Sequence, residues 1–143
     1  MAEQLREHTL LIVVGACLRA ETMDRPLAYR VRDQALRRMY GVAGFECVVL
    51  SDVWYLNSKE LHDRPVISIG GPGVNHLSGY LQDQLPTSLM VEHVLQIQMD
   101  LTLKDRRCTV WGMDHENTVE AVETFLEKGH LDRFLKIFPQ ALV

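Results

Sequence analysis

One short segment near the start of the chain constrains the fold more than any other feature. From Leu10 to Val14 five apolar residues follow one another, and three of them are β-branched. The run has no polar side, so it predicts a strand that is covered on both faces. Strands of this kind are typical of parallel sheets, whose crossover helices cover both faces. The chain is therefore predicted to be an α/β protein.

Two further apolar runs, Val48–Leu50 and Val66–Ile69, have the same character. We expect them and Leu10–Val14 to be adjacent central strands that run parallel to one another. Helical spacing of apolar residues after Pro26, and again from Asn75 to Leu85, predicts helices in the connections between the strands. Right-handed crossovers would place such helices on both faces of the sheet.

The second half of the chain has a different pattern. Apolar and polar residues alternate from Leu89 to Leu101, which predicts one long, half-exposed strand. A polar turn then leads to a strand at Cys108–Gly112, so we expect an antiparallel hairpin. Asp114 can cap the helix that follows it. A short final helix is predicted to include Phe134. Residues 1–143 are thus predicted to form a single α/β domain, a three-layer sandwich with a mostly parallel sheet and one antiparallel hairpin.

Composition limits the partners and the location. The formal net charge is −4, which argues against a nucleic-acid-binding surface and against an anionic membrane surface. No stretch approaches the ~20 apolar residues of a membrane span. The three cysteines form no CxxC motif, which favours reduced thiols and a cytoplasmic location. Because a long strand edge tends to be covered, Leu89–Leu101 suggests a homodimer.

Ligands of open parallel sheets bind at the carboxyl ends of the strands. By this rule, four loops should lie together at one edge of the sheet: residues 15–24, 51–55, 70–76 and 112–118. In the third loop glycines lead into a helix, so we expect the N–H groups of Gly73, Val74 and Asn75 to point into open space and bind an anion. The alternative, which the sequence leaves open, is a tight structural turn with Asn75 as a helix cap and no ligand.

Side chains in these loops complete the predicted ligand site. Arg19 can clamp an anion with two hydrogen bonds, and Asp52 can accept one from a hydroxyl group. The candidate ligand-binding residues are Arg19, Asp52, Gly70, Gly71, Gly73, Val74, Asn75 and His76. If the protein is an enzyme, Glu21 or Asp52 is the candidate catalytic carboxylate. The chain has neither GxGxxG, nor GK[ST], nor HExxH, so no cofactor and no metal site are predicted.

Two stretches resemble a known type of domain. Val66 to Asn75, and Thr109–Gly112 with the Asn117–Val122 segment after it, are similar to the "strand, GGPxxN, helix" and later "strand, Gly, T-x-x-A-V helix" elements of Rossmann-like domains in prokaryotic surface-layer and cell-wall-binding proteins. The resemblance implies a Rossmann-like fold and a packing or polymer-binding role, with no catalytic residues. The loop ending at Asp24 also resembles the nucleoside deoxyribosyltransferase group, which implies a carboxylate nucleophile.

Three functions therefore stand as hypotheses. The first is a binding or interaction module that takes a small anionic or nucleotide-like molecule at residues 70–76. The second is an enzyme acting on the glycosidic bond of a nucleoside or nucleotide. The third is a scaffold or oligomerisation domain without a ligand. A deep cleft that holds a carboxylate of raised pKa favours the enzyme, and a shallow cleft with a bound anion favours the module. A filled cleft together with a large apolar surface favours the scaffold.

Overall fold

The fold is a mixed α/β structure built on one six-stranded, mostly parallel sheet. It is known from a computed structural model, which describes residues 5–92 and 94–140. The strands are β1 (His8–Val14), β2 (Phe45–Ser51), β3 (Val66–Ile69), β4 (Thr87–Val91), β5 (Leu95–Met99) and β6 (Arg107–Gly112). Their spatial order is β2-β1-β3-β6-β5-β4. The first four in that order are parallel to one another, whereas β5 is antiparallel to both β6 and β4.

Short helices fill the connections between the strands. They are α1 (Leu18–Met23), α2 (Arg25–Arg38), α3 (Asp52–Leu56), α4 (His76–Leu81), α5 (His115–Glu127) and α6 (His130–Phe134), with single 3-10 turns at Lys59–Leu61 and Leu135–Ile137. No helix within the described residues is both long enough and apolar enough to cross a membrane.

Two hydrophobic clusters lie on opposite faces of the sheet. Side chains alternate along β1, so Leu10 and Ile12 pack with α2, α5 and α6, whereas Leu11 and Val13 pack with α3 and α4. All four are at most 1% exposed. The prediction that Leu10–Val14 is a strand covered on both faces is confirmed.

The prediction that all three apolar runs are central strands is wrong for Val48–Leu50. The three strands are parallel neighbours, as expected, but β2 forms one edge of the sheet. Val48 and Val49 are accordingly only partly buried. The run is apolar because both faces of β2 contact other parts of the protein: one face packs against α2, and the other contributes Leu50 to the second cluster. Only one edge of β2 is paired with a strand in the described structure, the edge that faces β1.

The single strand predicted for Leu89–Leu101 is also wrong. The segment folds back on itself, since β4 ends at Val91 and β5 begins at Leu95. Between them Glu92 has a positive φ of 49°, and the N–H of Val94 donates to the carbonyl of Val91 at 2.8 Å. His93 lies outside the described residues. The expected antiparallel hairpin is confirmed, as β5 pairs with β6, and β4 becomes the second edge of the sheet.

Candidate functional site

A cleft of about 270 Å³ opens at the carboxyl ends of β1, β3 and β6. It is lined by Arg19 of α1, by Asp24 at the junction of α1 and α2, by Gly71 and Gly73 after β3, and by His115 at the start of α5. These strands are parallel neighbours or lie one apart, so the loops that follow them meet at one edge. Three of the four loops gathered by sequence reasoning therefore form one site. The loop at residues 51–55 does not line it.

Asp24 is the most unusual group in the cleft. The residue is only 5% exposed, although it carries a carboxylate. It precedes α2, yet its side chain does not cap that helix, and no described group donates a hydrogen bond to it. Burial raises the pKa of the Asp24 carboxyl above its ordinary value of 3.8, and the nearby positive charges of His115 and Arg19 oppose that shift. Its oxygens are not among the fully enclosed atoms that lack a partner, so the open cleft reaches them, and a carboxylate of raised pKa in a cleft is a candidate functional group.

The start of α5 offers free hydrogen-bond donors to the same cleft. Asp114 caps this 13-residue helix by accepting from the N–H of Asn117 at 2.8 Å. The N–H groups of His115 and Glu116 have no partner among the described residues. Nδ1 of His115 is buried and also lacks one. Together with the helix dipole, these donors favour an anion.

Arg19 supplies the positive side chain of the cleft. Its side chain forms no ion pair or hydrogen bond with any residue that the structure describes, in contrast to Arg25 next to it, which pairs with Glu21 at 2.8 Å. A guanidinium group presents several donors in one plane, which suits a phosphate or carboxylate group. The sequence prediction placed Arg19 at the ligand site, and its side chain does line the cleft.

Two glycines shape the wall formed by the loop after β3. Gly70 has a φ of +107°, and a Cβ atom there would lie 2.7 Å from Oδ2 of Asp24, so only glycine lets this carboxylate sit against the main chain. Gly73 lines the cleft, and a Cβ atom there would meet nothing within 4 Å. A larger side chain at position 73 therefore has open space beside the cleft.

The predicted nest of N–H groups in this loop is only partly present. The N–H groups of Val74 and Asn75 do not point into open space, since both donate to the carbonyl of Gly71, at 3.1 and 2.9 Å. Only the N–H of Gly73 has no partner in the described part of the chain. A tight turn uses its own N–H groups, so the loop after β3 offers an anion less than the glycine pattern suggests.

Asn75 and His76 lie outside the cleft. The Asn75 side chain is completely buried: its amide donates to the carbonyls of Val13 and Ile69, and its oxygen accepts from the N–H groups of Leu77 and Ser78. It caps α4, as the alternative interpretation of this turn predicted. The ring of His76 is exposed and points away from the lining residues, near Asp52.

Asp52 joins loops together and does not line the cleft. Its carboxylate accepts from the N–H groups of Ala16 at 3.0 Å, Val53 at 2.7 Å and His76 at 2.7 Å, and the residue is 2% exposed. These bonds tie the ends of β1 and β2 to the start of α4. With its oxygens occupied in this way, Asp52 holds the loops that shape the cleft and is not free to meet a ligand. Glu21, the other candidate catalytic carboxylate, is held by Arg25 and does not line the cleft either.

Sequence reasoning missed the roles of Asp24 and His115. Both belong to loops that it had gathered at the right edge of the sheet. It explained the polar segment at residues 114–118 as helix-start chemistry, which is correct for Asp114. The missing signal was burial: nothing in a sequence shows that one aspartate of several will be enclosed without a partner.

No group of three or more His, Cys, Asp or Glu side chains within residues 5–92 and 94–140 is arranged to hold a metal ion.

Comparison with known proteins adds no assignment, because no protein-family model matches the chain and no curated protein matches it.

Proposed function

We propose that this protein binds a small anionic molecule in the cleft at the carboxyl ends of β1, β3 and β6. The observation that carries the proposal is the convergence, in one cleft, of an unpaired arginine and the free N–H groups of a long helix. Arg19 provides charge and planar donors, and α5 provides backbone donors and its dipole. The volume of about 270 Å³ lies just below the usual range of small-molecule sites, roughly 300–1,000 Å³, so the ligand is small.

The proposal differs from the sequence hypothesis in the anchor for the anion. Sequence reasoning placed the anion on the start of α4, but the first N–H groups of that helix donate to Asp52 and Asn75. The start of α5 has no such internal acceptors for its first two N–H groups. Gly71, Gly73 and Val74 stay in the site as one wall of the cleft.

Calorimetric titration tests the proposal. The probes are inorganic phosphate, sulfate, ribose 5-phosphate and adenosine monophosphate, and Arg19→Ala is compared with Arg37→Ala. Arg37 is an exposed arginine of α2 that lies outside the cleft, so it controls for the change in net charge. We expect at least one probe to bind the parent protein and Arg19→Ala to weaken it roughly 10- to 100-fold, the value of a charge-assisted hydrogen bond. If no anion binds the parent, or if both variants behave alike, the proposal is wrong.

A second function, hydrolysis of a glycosidic bond, is supported by the buried carboxylate of Asp24. Its raised pKa is the property that general acids have in many enzymes. If the enzyme hypothesis is right, the acting carboxylate is therefore Asp24, since Glu21 and Asp52 are engaged elsewhere. Incubation with a panel of nucleosides and nucleotides, followed by chromatography, would detect the released base. The hypothesis requires release that Asp24→Asn abolishes, and an intact panel would exclude it.

We further propose that the fold is a three-layer sandwich, that the protein is a homodimer and that it is cytoplasmic. Helices packed against both faces of the sheet support a three-layer, Rossmann-like sandwich. Two unpaired sheet edges, β2 and β4, support a homodimer, although the long edge strand that first suggested one is absent. The three free cysteines support a cytoplasmic location.

A further inference from the structure

The anion site described above leaves one lining group without a role, the carboxylate of Asp24. A second negative charge in the cleft would repel an anionic ligand if the two met directly. A ligand that binds well must therefore present a different part of itself to Asp24. No described residue donates a hydrogen bond to this carboxylate, and its oxygens are open to the cleft, so a ligand that displaces the water there has to supply a donor in its place.

The surroundings of Asp24 limit what that donor can be. Arg19 is close enough for its positive charge to act on the carboxyl group. An ammonium group of a ligand would be repelled by this guanidinium, whereas a hydroxyl group is neutral and still donates. Asp114, the other acidic residue of the cleft, has an oxygen that accepts from the N–H of Asn117. Asp24 is thus the buried carboxylate of the cleft that has both oxygens left for hydroxyl groups, whereas Asp114 is exposed.

The remaining lining suits a small ring. Met23 and Met113 border the cleft, and Met113 is 66% exposed at its rim. Thioether side chains are apolar and adaptable, so they can cover the carbon face of a sugar while its hydroxyl groups reach Asp24. The small volume leaves room for a ring with one charged group.

We propose that the cleft binds a phosphorylated sugar, whose hydroxyl groups donate to Asp24 while its phosphate is bound by Arg19 and the start of α5. This inference rests on the proposed function and adds the chemical class of the ligand. The shared chemistry is a hydroxylated ring that carries a phosphate, which a free sugar phosphate and a nucleotide both contain.

The test compares four probes by calorimetry: inorganic phosphate, ribose, ribose 5-phosphate and adenosine monophosphate. We expect the parent to bind ribose 5-phosphate at least tenfold more tightly than inorganic phosphate, because the hydroxyl groups add hydrogen bonds to a charged acceptor. Ribose alone should bind weakly, since it lacks the phosphate. The ratio between adenosine monophosphate and ribose 5-phosphate then distinguishes a nucleotide from a free sugar phosphate.

Asp24→Asn supplies the decisive variant. It is expected to fold, because it removes a buried charge without changing the shape of the side chain, and a melting curve verifies this. We expect it to reduce the preference for ribose 5-phosphate over inorganic phosphate roughly tenfold or more, while Arg19→Ala weakens both probes. Asp83→Asn, the same change at an exposed position, should leave the preference unaltered.

Two results would overturn the inference while leaving anion binding intact. One is a parent protein that binds inorganic phosphate as tightly as ribose 5-phosphate. The other is an Asp24→Asn variant that keeps the full preference for ribose 5-phosphate. Failure of the parent to bind any of the phosphate-containing probes would overturn both the inference and the proposed function.

Discussion

At the scale of single residues, the cleft is defined by two aspartates with opposite roles. Asp52 and Asp24 are about equally buried, yet Asp52 accepts three backbone hydrogen bonds and Asp24 accepts none from the described chain. The first arrangement stabilises loops, whereas in the second burial raises the pKa of the carboxyl group. The difference cannot be predicted from sequence, because both residues follow buried strands or short helices and only the packed structure decides which carboxylate meets N–H groups.

The burial of Asp24 leads to a prediction about stability. Asp24→Asn should raise the free energy of unfolding by about 1–2 kcal/mol at pH 7, since it removes a buried, unpaired charge. The raised pKa means that folded Asp24 holds its proton more tightly than unfolded Asp24. The protein therefore loses stability at this residue as pH rises from about 3.8 through the raised pKa.

The gain from Asp24→Asn should accordingly be smallest near pH 4 and grow as pH rises through that window. Chemical denaturation at several pH values measures it, with Asp83→Asn as the exposed control. A variant less stable than the parent at pH 7 would show that Asp24 is paired in the folded protein.

Gly73 gives a prediction that separates binding from stability. Its Cβ would have open space around it and its φ is not positive, so Gly73→Leu should leave the melting temperature nearly unchanged. The same leucine would fill the cleft and should abolish binding of inorganic phosphate and ribose 5-phosphate. Gly70→Ala serves as the contrast, since its φ is positive and the added carbon would meet Asp24. Undiminished binding by Gly73→Leu would mean that the ligand lies elsewhere.

At the scale of elements, the parallel strands and their pairing were predictable, whereas the edges of the sheet were not. The apolar run at Leu10–Val14 predicted a covered strand because α/β sheets bury such strands on both faces. Alternation from Leu89 to Leu101 failed to reveal a turn, because a tight hairpin keeps the two-residue period and Glu92 is not a typical turn residue. Likewise, an apolar run does not tell whether a strand such as β2 has one partner or two.

The loop junctions give a prediction at this scale. Asp52→Ala leaves three N–H groups without their acceptor, so it should lower the free energy of unfolding by about 3 kcal/mol or more. Asp52→Asn keeps one acceptor oxygen and should lose less. Because Asp52 does not line the cleft, the folded Asp52→Asn protein should bind phosphate within about threefold of the parent. Normal stability combined with lost binding would instead make Asp52 a ligand contact.

At the scale of the whole molecule, the candidate cleft lies at the parallel strands of the sheet, whereas the antiparallel strands end in the edge strand β4. The cleft follows from the meeting of three carboxyl ends, which the sequence predicted at the level of loops. On the far side of the sheet, β4 is short and carries the exposed residues Met90 and Val91. Within the described residues the outer edge of β4 has no strand partner, so its backbone groups can pair with another chain.

We predict that the protein forms a homodimer through the open edge of β4. A single lysine introduced into this strand should disrupt the dimer. Light scattering at micromolar concentration should give the mass of two chains for the parent and of one chain for Met90→Lys, because an exposed charge opposes strand pairing. Tyr40→Lys, at an exposed residue beyond α2, is the control and should stay dimeric. A parent with the mass of one chain would exclude the dimer, and an unaffected Met90→Lys dimer would place the interface elsewhere.

The central claim, that a small anion binds between Arg19 and the start of α5, is tested most directly by mapping amide chemical shifts. The ¹⁵N-labelled protein is titrated with ribose 5-phosphate and its amide resonances are followed by NMR. We expect the largest changes at Gly73 and His115, which line the cleft, and at Glu116, which follows His115 in α5. Largest changes at the opposite end of the strands, near Arg64 and the exposed Arg106, or no changes at all, would contradict this proposal.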